Sequence, residues 1–116
     1  MEETRLGRIE ITPRAIASLA SQAVLKCYGV VGMASSSPIG GLSDILQRDS
    51  HRGVRVRVVD NQIIIDLYVI IEYGTRISEV AQNIMQAVRF QVERALGIPV
   101  AQVNVHVQGL RISSQE

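Results

Sequence analysis

Aromatic side chains are scarce in this chain of 116 residues, which has one Phe, three Tyr and no Trp. Its core must therefore be aliphatic and β-branched, and few rings are left for stacking on nucleic-acid bases or sugars. Cys27 is the only cysteine. An internal disulfide is excluded, and the count fits a reducing compartment. The two histidines, His51 and His106, have no second His or Cys nearby, whereas metal ligands cluster at short spacing. Both read as surface residues. Charge of either sign is not in excess: the net value is +1, which argues against strong attraction to nucleic acid or anionic lipid. No apolar run approaches the roughly 20 residues of a membrane-spanning helix. The N-terminus, Met1-Glu-Glu-Thr-Arg-Leu-Gly7, is polar and unlike a secretory signal. These absences predict a cytoplasmic protein whose membrane association, if any, runs through a partner.

Catalytic patterns are missing as well. Neither GxxxxGK[ST] nor GxGxxG occurs, so no phosphate-cradling loop is predicted. Asp66 is a lone carboxylate inside an apolar stretch, not one of an acid–base pair. Cys27 falls in phase with the apolar face of a helix and reads as a buried, inert thiol. Ser35-Ser36-Ser37 has no base at recognisable spacing. The expectation is a protein that is not an enzyme, with no catalytic residues, no metal, no cofactor and no small-molecule substrate.

What is present is organised around Gln62 to Gly97. Ile63, Ile65, Leu67, Val69 and Ile71 alternate with positions that include Asp66, Tyr68 and Glu72, a strand with one wholly apolar face. Tyr73-Gly74-Thr75 turns a corner, with Thr75 the expected cap of the next helix. Ile77, Val80, Ala81, Ile84, Val88, Val92, Ala95 and Leu96 then recur at spacings of three and four, an apolar helical stripe. Gly97 ends this helix and Pro99 prevents its continuation. Earlier, Arg8 to Ile11 alternates as a short strand. Thr12-Pro13 opens a first helix with apolar positions Ile16, Leu19, Ala20, Ala23, Val24 and Cys27, expected to stop near Tyr28-Gly29. Val30 to Met33 is a short apolar segment. The chain closes with Val103, Val105 and Val107 alternating with Asn104, His106 and Gln108, interrupted at Gly109.

This order predicts an α+β fold, a mixed β-sheet of three to five strands with two α-helices packed on one face. A single domain over 1–116 is expected, with a flexible loop at about 34–53 and a frayed tail at 113–116. Val54, Val56 and Val58 alternate with Arg55 and Arg57 and pair with the long strand through a two-residue turn. An Asp60-Asn61 turn sets Arg55 opposite Asp66; an Asn61-Gln62 turn sets Arg57 there. Either turn puts Arg55, Arg57, Ile64, Asp66, Tyr68, Ile70 and Glu72 on the face away from the helices. The same face carries Asn104 and His106 of the last strand, and the mixture is more apolar than a solvated face requires, so the seven residues of the hairpin form the candidate interaction face.

Several segments together resemble a known family. They are Gly7-Arg-Ile-Glu-Ile11, Tyr28-Gly-Val-Val-Gly-Met33, Ile65-Asp-Leu-Tyr-Val69, Glu72-Tyr-Gly74, the helix from Val80 to Leu96, and Val103-Asn-Val-His-Val-Gln-Gly109. In this order they resemble the bacterial alkaline shock protein family, also met as glucose-starvation stress proteins. The resemblance implies a small non-catalytic protein of Gram-positive-type bacteria with a part in envelope homeostasis and stress. It further implies a homo-oligomer placed near the membrane by a separate membrane-anchored partner. The alternative is a KH-like nucleic-acid-binding protein, suggested by an α+β topology with similar element order; Gly29-Val-Val-Gly32 fits its GxxG pattern but reads better as a helix cap and strand entry. Against it stand the near-neutral charge, the apolar residues inside the GxxG and the few rings.

Overall fold

The computed structural model describes residues 2–34 and 53–112. In chain order these form β1 (Glu2–Thr4), β2 (Gly7–Ile9), α1 (Pro13–Leu25), β3 (Val30–Met33), β4 (Val54–Val59), β5 (Gln62–Glu72), α2 (Ile77–Leu96) and β6 (Val100–Arg111). The loop expected at 34–53 and the tail at 113–116 lie outside the described residues, apart from the loop's two ends, Ala34 and Gly53.

β5 is the centre of a mixed four-stranded sheet. β6 runs parallel along one of its edges, while β3 and β4 both run antiparallel along the other. β4 pairs with the first half of β5, from Val59↔Gln62 to Val54↔Leu67. β3 pairs with the second half, from Met33↔Val69 to Val30↔Ile71. Tyr68 joins the two halves: its C=O accepts from Ala34 N–H at 2.9 Å and its N–H donates to Gly53 C=O at 2.8 Å. β3 and β4 are thus one interrupted edge strand. The chain departs after Ala34 and returns at Gly53, and a side chain at Gly53 would stand 2.7 Å from Ala34 O.

The periodicities place the core. All five odd residues of β5 are buried, with Ile65, Leu67, Val69 and Ile71 wholly so. Ile16, Ala20, Ala23 and Val24 of α1 and Val80, Ile84, Val88 and Val92 of α2 close over them in one cluster. α1 lies against β3 and β4, α2 against β6, and the helices against each other, a single layer on one face. A fully buried Val, Leu or Ile contributes about 1.5–3 kcal/mol of transfer free energy, so this aliphatic layer supplies the main driving force.

Local signals largely hold. Thr12 Oγ1 accepts from Ala15 N–H at 3.2 Å as the cap of α1, with Pro13 in the first helical turn. Asp60 and Asn61, with φ of 53° and 63°, make the two-residue hairpin turn. Gly97, with φ 77° and ψ 13°, ends α2 in the left-handed conformation.

Four expectations are corrected. Thr75 does not cap α2: its hydroxyl donates to Glu72 C=O at 2.8 Å, and Arg76 holds the cap position without a side-chain hydrogen bond. α1 ends at Leu25, before Tyr28-Gly29. Gly29 (φ +90°) instead serves the turn into β3, where an added Cβ would meet Val80 at 2.9 Å. The first strand stops at Ile9 and pairs with β1 in a separate two-stranded sheet. Gly109 does not interrupt β6, which continues to Arg111. The irregularity is a bulge at Gln108, the residue skipped between the pairs Val69↔Val107 and Ile70↔Gly109.

Candidate functional site on the open sheet face

The even residues of β5 face away from both helices, and no helix among the described residues covers them. Ile64, Tyr68, Ile70 and Glu72 are half-buried there, while Arg55 and Arg57 on β4 are exposed. The seven residues singled out in the sequence therefore lie on one surface. Its centre is Asp66, only 6% exposed.

A carboxylate this enclosed needs partners, and it has three. Arg57 donates to Oδ2 through Nε at 3.2 Å and Nη2 at 2.9 Å. Asn104 Nδ2 donates to Oδ1 at 3.0 Å, and His106 Nε2 lies 3.3 Å from the same oxygen. Burial alone would raise the Asp66 pKa. The hydrogen bonds from Asn104, His106 and Arg57, with the Arg57 charge, overcome it and hold the group below its ordinary value. The imidazole of His106 stacks on Tyr68, with ring centroids 4.5 Å apart and planes 10° from parallel.

The register explains these contacts. Arg55, not Arg57, stands directly opposite Asp66, as the Asp60-Asn61 turn requires. Arg57 is the diagonal neighbour, and its length and planar fork let it reach the carboxylate. On the other edge, the parallel pairs Asp66↔Asn104 and Tyr68↔His106 deliver the amide and the imidazole. The sequence places Asn104 and His106 on this face but does not show their contacts with Asp66, and His106 reads there as a surface residue without a partner. The alternating Asn104 and His106 carried a signal, but only adjacency of β5 and β6 makes it legible.

Ile70 has a different setting. Its neighbours are Gly32 on β3 and Gly109 on β6, and a Cβ on either glycine would meet nothing within 4 Å. The half-buried Ile70 side chain thus has open space beside it on both neighbouring strands.

Other candidates take structural places. The Cys27 thiol donates to Ala23 C=O at 3.4 Å, and burial pushes its pKa up, opposite to the shift that makes a nucleophile. Gly29 and Gly32 connect a helix to a strand, whereas a KH-type GxxG joins two helices. Asp66 and His106 are two potential metal ligands, and among the described residues no group of three His, Cys, Asp or Glu forms. His51 lies outside the described residues.

Fold and face together define a two-layer α+β protein whose helices cover one side of a mixed sheet and leave a hydrogen-bonded cluster on the other. The chain belongs to the alkaline shock protein 23 family, a family of cell envelope-related function whose model matches residues 1–112. It is similar to the uncharacterized protein YloU of Bacillus subtilis (strain 168), with 45% identity over 113 residues, 96% of this chain and 94% of that protein. It also resembles the uncharacterized protein Spy1614 of Streptococcus pyogenes serotype M6, with 37% identity over 111 residues, 94% of this chain and 92% of that one. Among solved structures, the copper form of MamM CTD aligns with a TM-score of 0.51 at 17% identity, covering 88% of this chain and 90% of that one. A substituted MamM CTD gives 0.53 at 16% identity, covering 92% and 99%. At such identities the likeness is one of fold. Among the described residues, no helix is long and apolar enough to cross a membrane.

Proposed function

We propose that this protein is a non-catalytic component of the envelope stress response that acts by self-association and by docking a membrane-anchored partner protein through its open sheet face. The observation that carries the reading is the combination on that face of Ile64, Tyr68 and Ile70 with a charged cluster whose hydrogen bonds are already made. Contact surfaces are built this way, with apolar anchors among polar groups that need no rearrangement on binding. Ile70 between Gly32 and Gly109 leaves room for a partner's side chain to seat beside it. The envelope-related family supports a place at the membrane, and a membrane-anchored partner would provide it without a spanning helix in this chain. The protein itself would be cytoplasmic.

The test is the double variant Ile64→Asp with Ile70→Asp, compared with wild type by light scattering alone and with solubilised membrane extract. Both substitutions lie on the helix-free face, so the helix-covered core is kept, which circular dichroism checks. The expected result is a smaller assembly and no complex with membrane protein. If both were unchanged, the open face would not be a contact surface.

A further inference from the structure

The two edges of the sheet are unlike. The β3–β4 edge carries Arg55 and Arg57, charges of the kind that protect an exposed edge from pairing. From Val100 to Leu110, β6 carries no Lys, Arg, Asp or Glu. One position on it is covered: Val100 N–H donates to Glu93 Oε2 at 2.8 Å, and its C=O accepts from Arg89 Nη1, so two α2 side chains stand where a neighbouring strand would. Beyond that point none of the described residues pairs with the edge.

Its outward groups follow from the register. Successive residues of a strand turn N–H and C=O to opposite edges. Tyr68 directs both toward Ala34 and Gly53, so the odd residues of β5 serve β6. In a parallel ladder, each such residue bonds the residues before and after its partner. Ile65, Leu67 and Val69 have Val103, Val105 and Val107 as partners. Gln102, Asn104 and His106 therefore turn toward β5, while Val103, Val105 and Val107 turn N–H and C=O outward. Among the described residues, those outward groups have no backbone hydrogen bond.

The stretch Gln102-Val-Asn-Val-His-Val-Gln108 reads nearly the same in both directions, with Asn104 and His106 exchanged. We infer that this edge is a homodimer seam, in which β6 pairs antiparallel with β6 of a second copy about a two-fold axis at Val105. That register sets Val105 against Val105, Val103 against Val107, Asn104 against His106 and Gln102 against Gln108. It gives three hydrogen-bonded pairs, each exchanging two N–H···O bonds. An axis at Asn104 or His106 would make only two such pairs. Val107, 37% exposed, gains a valine neighbour. Because the contact is isologous it closes on itself, joining two four-stranded sheets into one and bringing both open faces side by side. Asn104 and His106 of each copy already hold their own Asp66, so the seam also links the two clusters.

The seam does not use Ile64 or Ile70, so its failure and that of the docking face are separable. The experiment measures amide hydrogen exchange and solution mass of the full chain over a concentration series, for wild type, Val107→Pro and Ile64→Asp with Ile70→Asp. Proline at 107 removes an outward N–H while leaving the bonds to β5 in place. The expected results are a wild-type dimer in which exchange at Val103, Val105 and Val107 slows by roughly tenfold or more on association, a monomeric Val107→Pro, and protection of the three amides retained in the double aspartate variant. Three results would overturn the inference: a wild type that stays monomeric throughout, a dimer in which the three amides exchange as fast as in the monomer, or a Val107→Pro dimer of unchanged affinity. Should Val107→Pro fail to fold, the exchange data on wild type decide alone.

Discussion

Asp66 is the residue on which the open face depends. Its side chain is nearly enclosed, and three neighbours from two strands are oriented by it. Asp66→Asn would keep the shape but put an amide where Arg57, Asn104 and His106 need a charged acceptor. A loss of about 1–3 kcal/mol in urea or thermal unfolding is expected. Arg57 is about half exposed, so water screens its share, and the loss reflects unsatisfied partners more than a broken ion pair. The same carboxylate shapes the acid response. Its folded pKa lies below the unfolded value of about 4. A depressed folded pKa gives stability that is fully present above the unfolded value and is lost as pH falls through the folded one. The melting temperature of wild type should therefore drop below about pH 4 more steeply than that of Asp66→Asn; equal slopes would show that Asp66 is not the linked group. At this scale the sequence disclosed Asp66 and its arginine partners, because a two-residue turn fixes register locally. Asn104 and His106 were legible as residues of the same face, but their contacts with Asp66 were not, because a 20-residue helix lies between β5 and β6 and nothing within either strand says which neighbour it takes.

At the scale of elements, glycines separate geometry from mere smallness. Gly53 has φ +85°, and an added Cβ would meet Ala34 O at 2.7 Å, Met33 Cβ at 2.9 Å and Tyr68 O at 3.0 Å. These are neighbours at the junction of β3 and β4, and two of the contacts are backbone. Gly53→Ala should cost roughly 1–3 kcal/mol, read from the urea midpoint. Gly97→Ala carries the strain of φ +77° with open space around it, so about 1 kcal/mol is expected. Gly109→Ala has neither problem and should change stability by no more than about 1 kcal/mol in either direction. A Gly53→Ala as mild as Gly109→Ala would contradict the junction described here. Element ends were legible where one residue decides them, as at Thr12-Pro13, Asp60-Asn61 and Gly97. Thr75 misled because its hydroxyl had a competing acceptor, Glu72 C=O, one turn back. α2 still has Glu79 in its first turn and Arg94 in its last, the charge order that the helix dipole favours.

At the scale of the molecule, apolar periodicity was enough to assign two helices and a sheet to two layers, because burial of one face leaves little freedom in the arrangement. It could not show that β3 and β4 form one interrupted edge, since that depends on pairing at a single residue, Tyr68. The resulting architecture has four different surfaces: a helical back, an arginine-bearing edge, an uncharged edge opposite it, and an open face with apolar residues around Asp66. Function is assigned to the last of these. Affinity capture from a native bacterial lysate with solubilised membranes, using wild type and Ile64→Asp with Ile70→Asp as paired baits, tests that assignment most directly. The account predicts that wild type recovers a small integral-membrane protein and that the double variant, still folded, does not. Equal recovery by both baits, or recovery of ribosomal or nucleoid components alone, would contradict it.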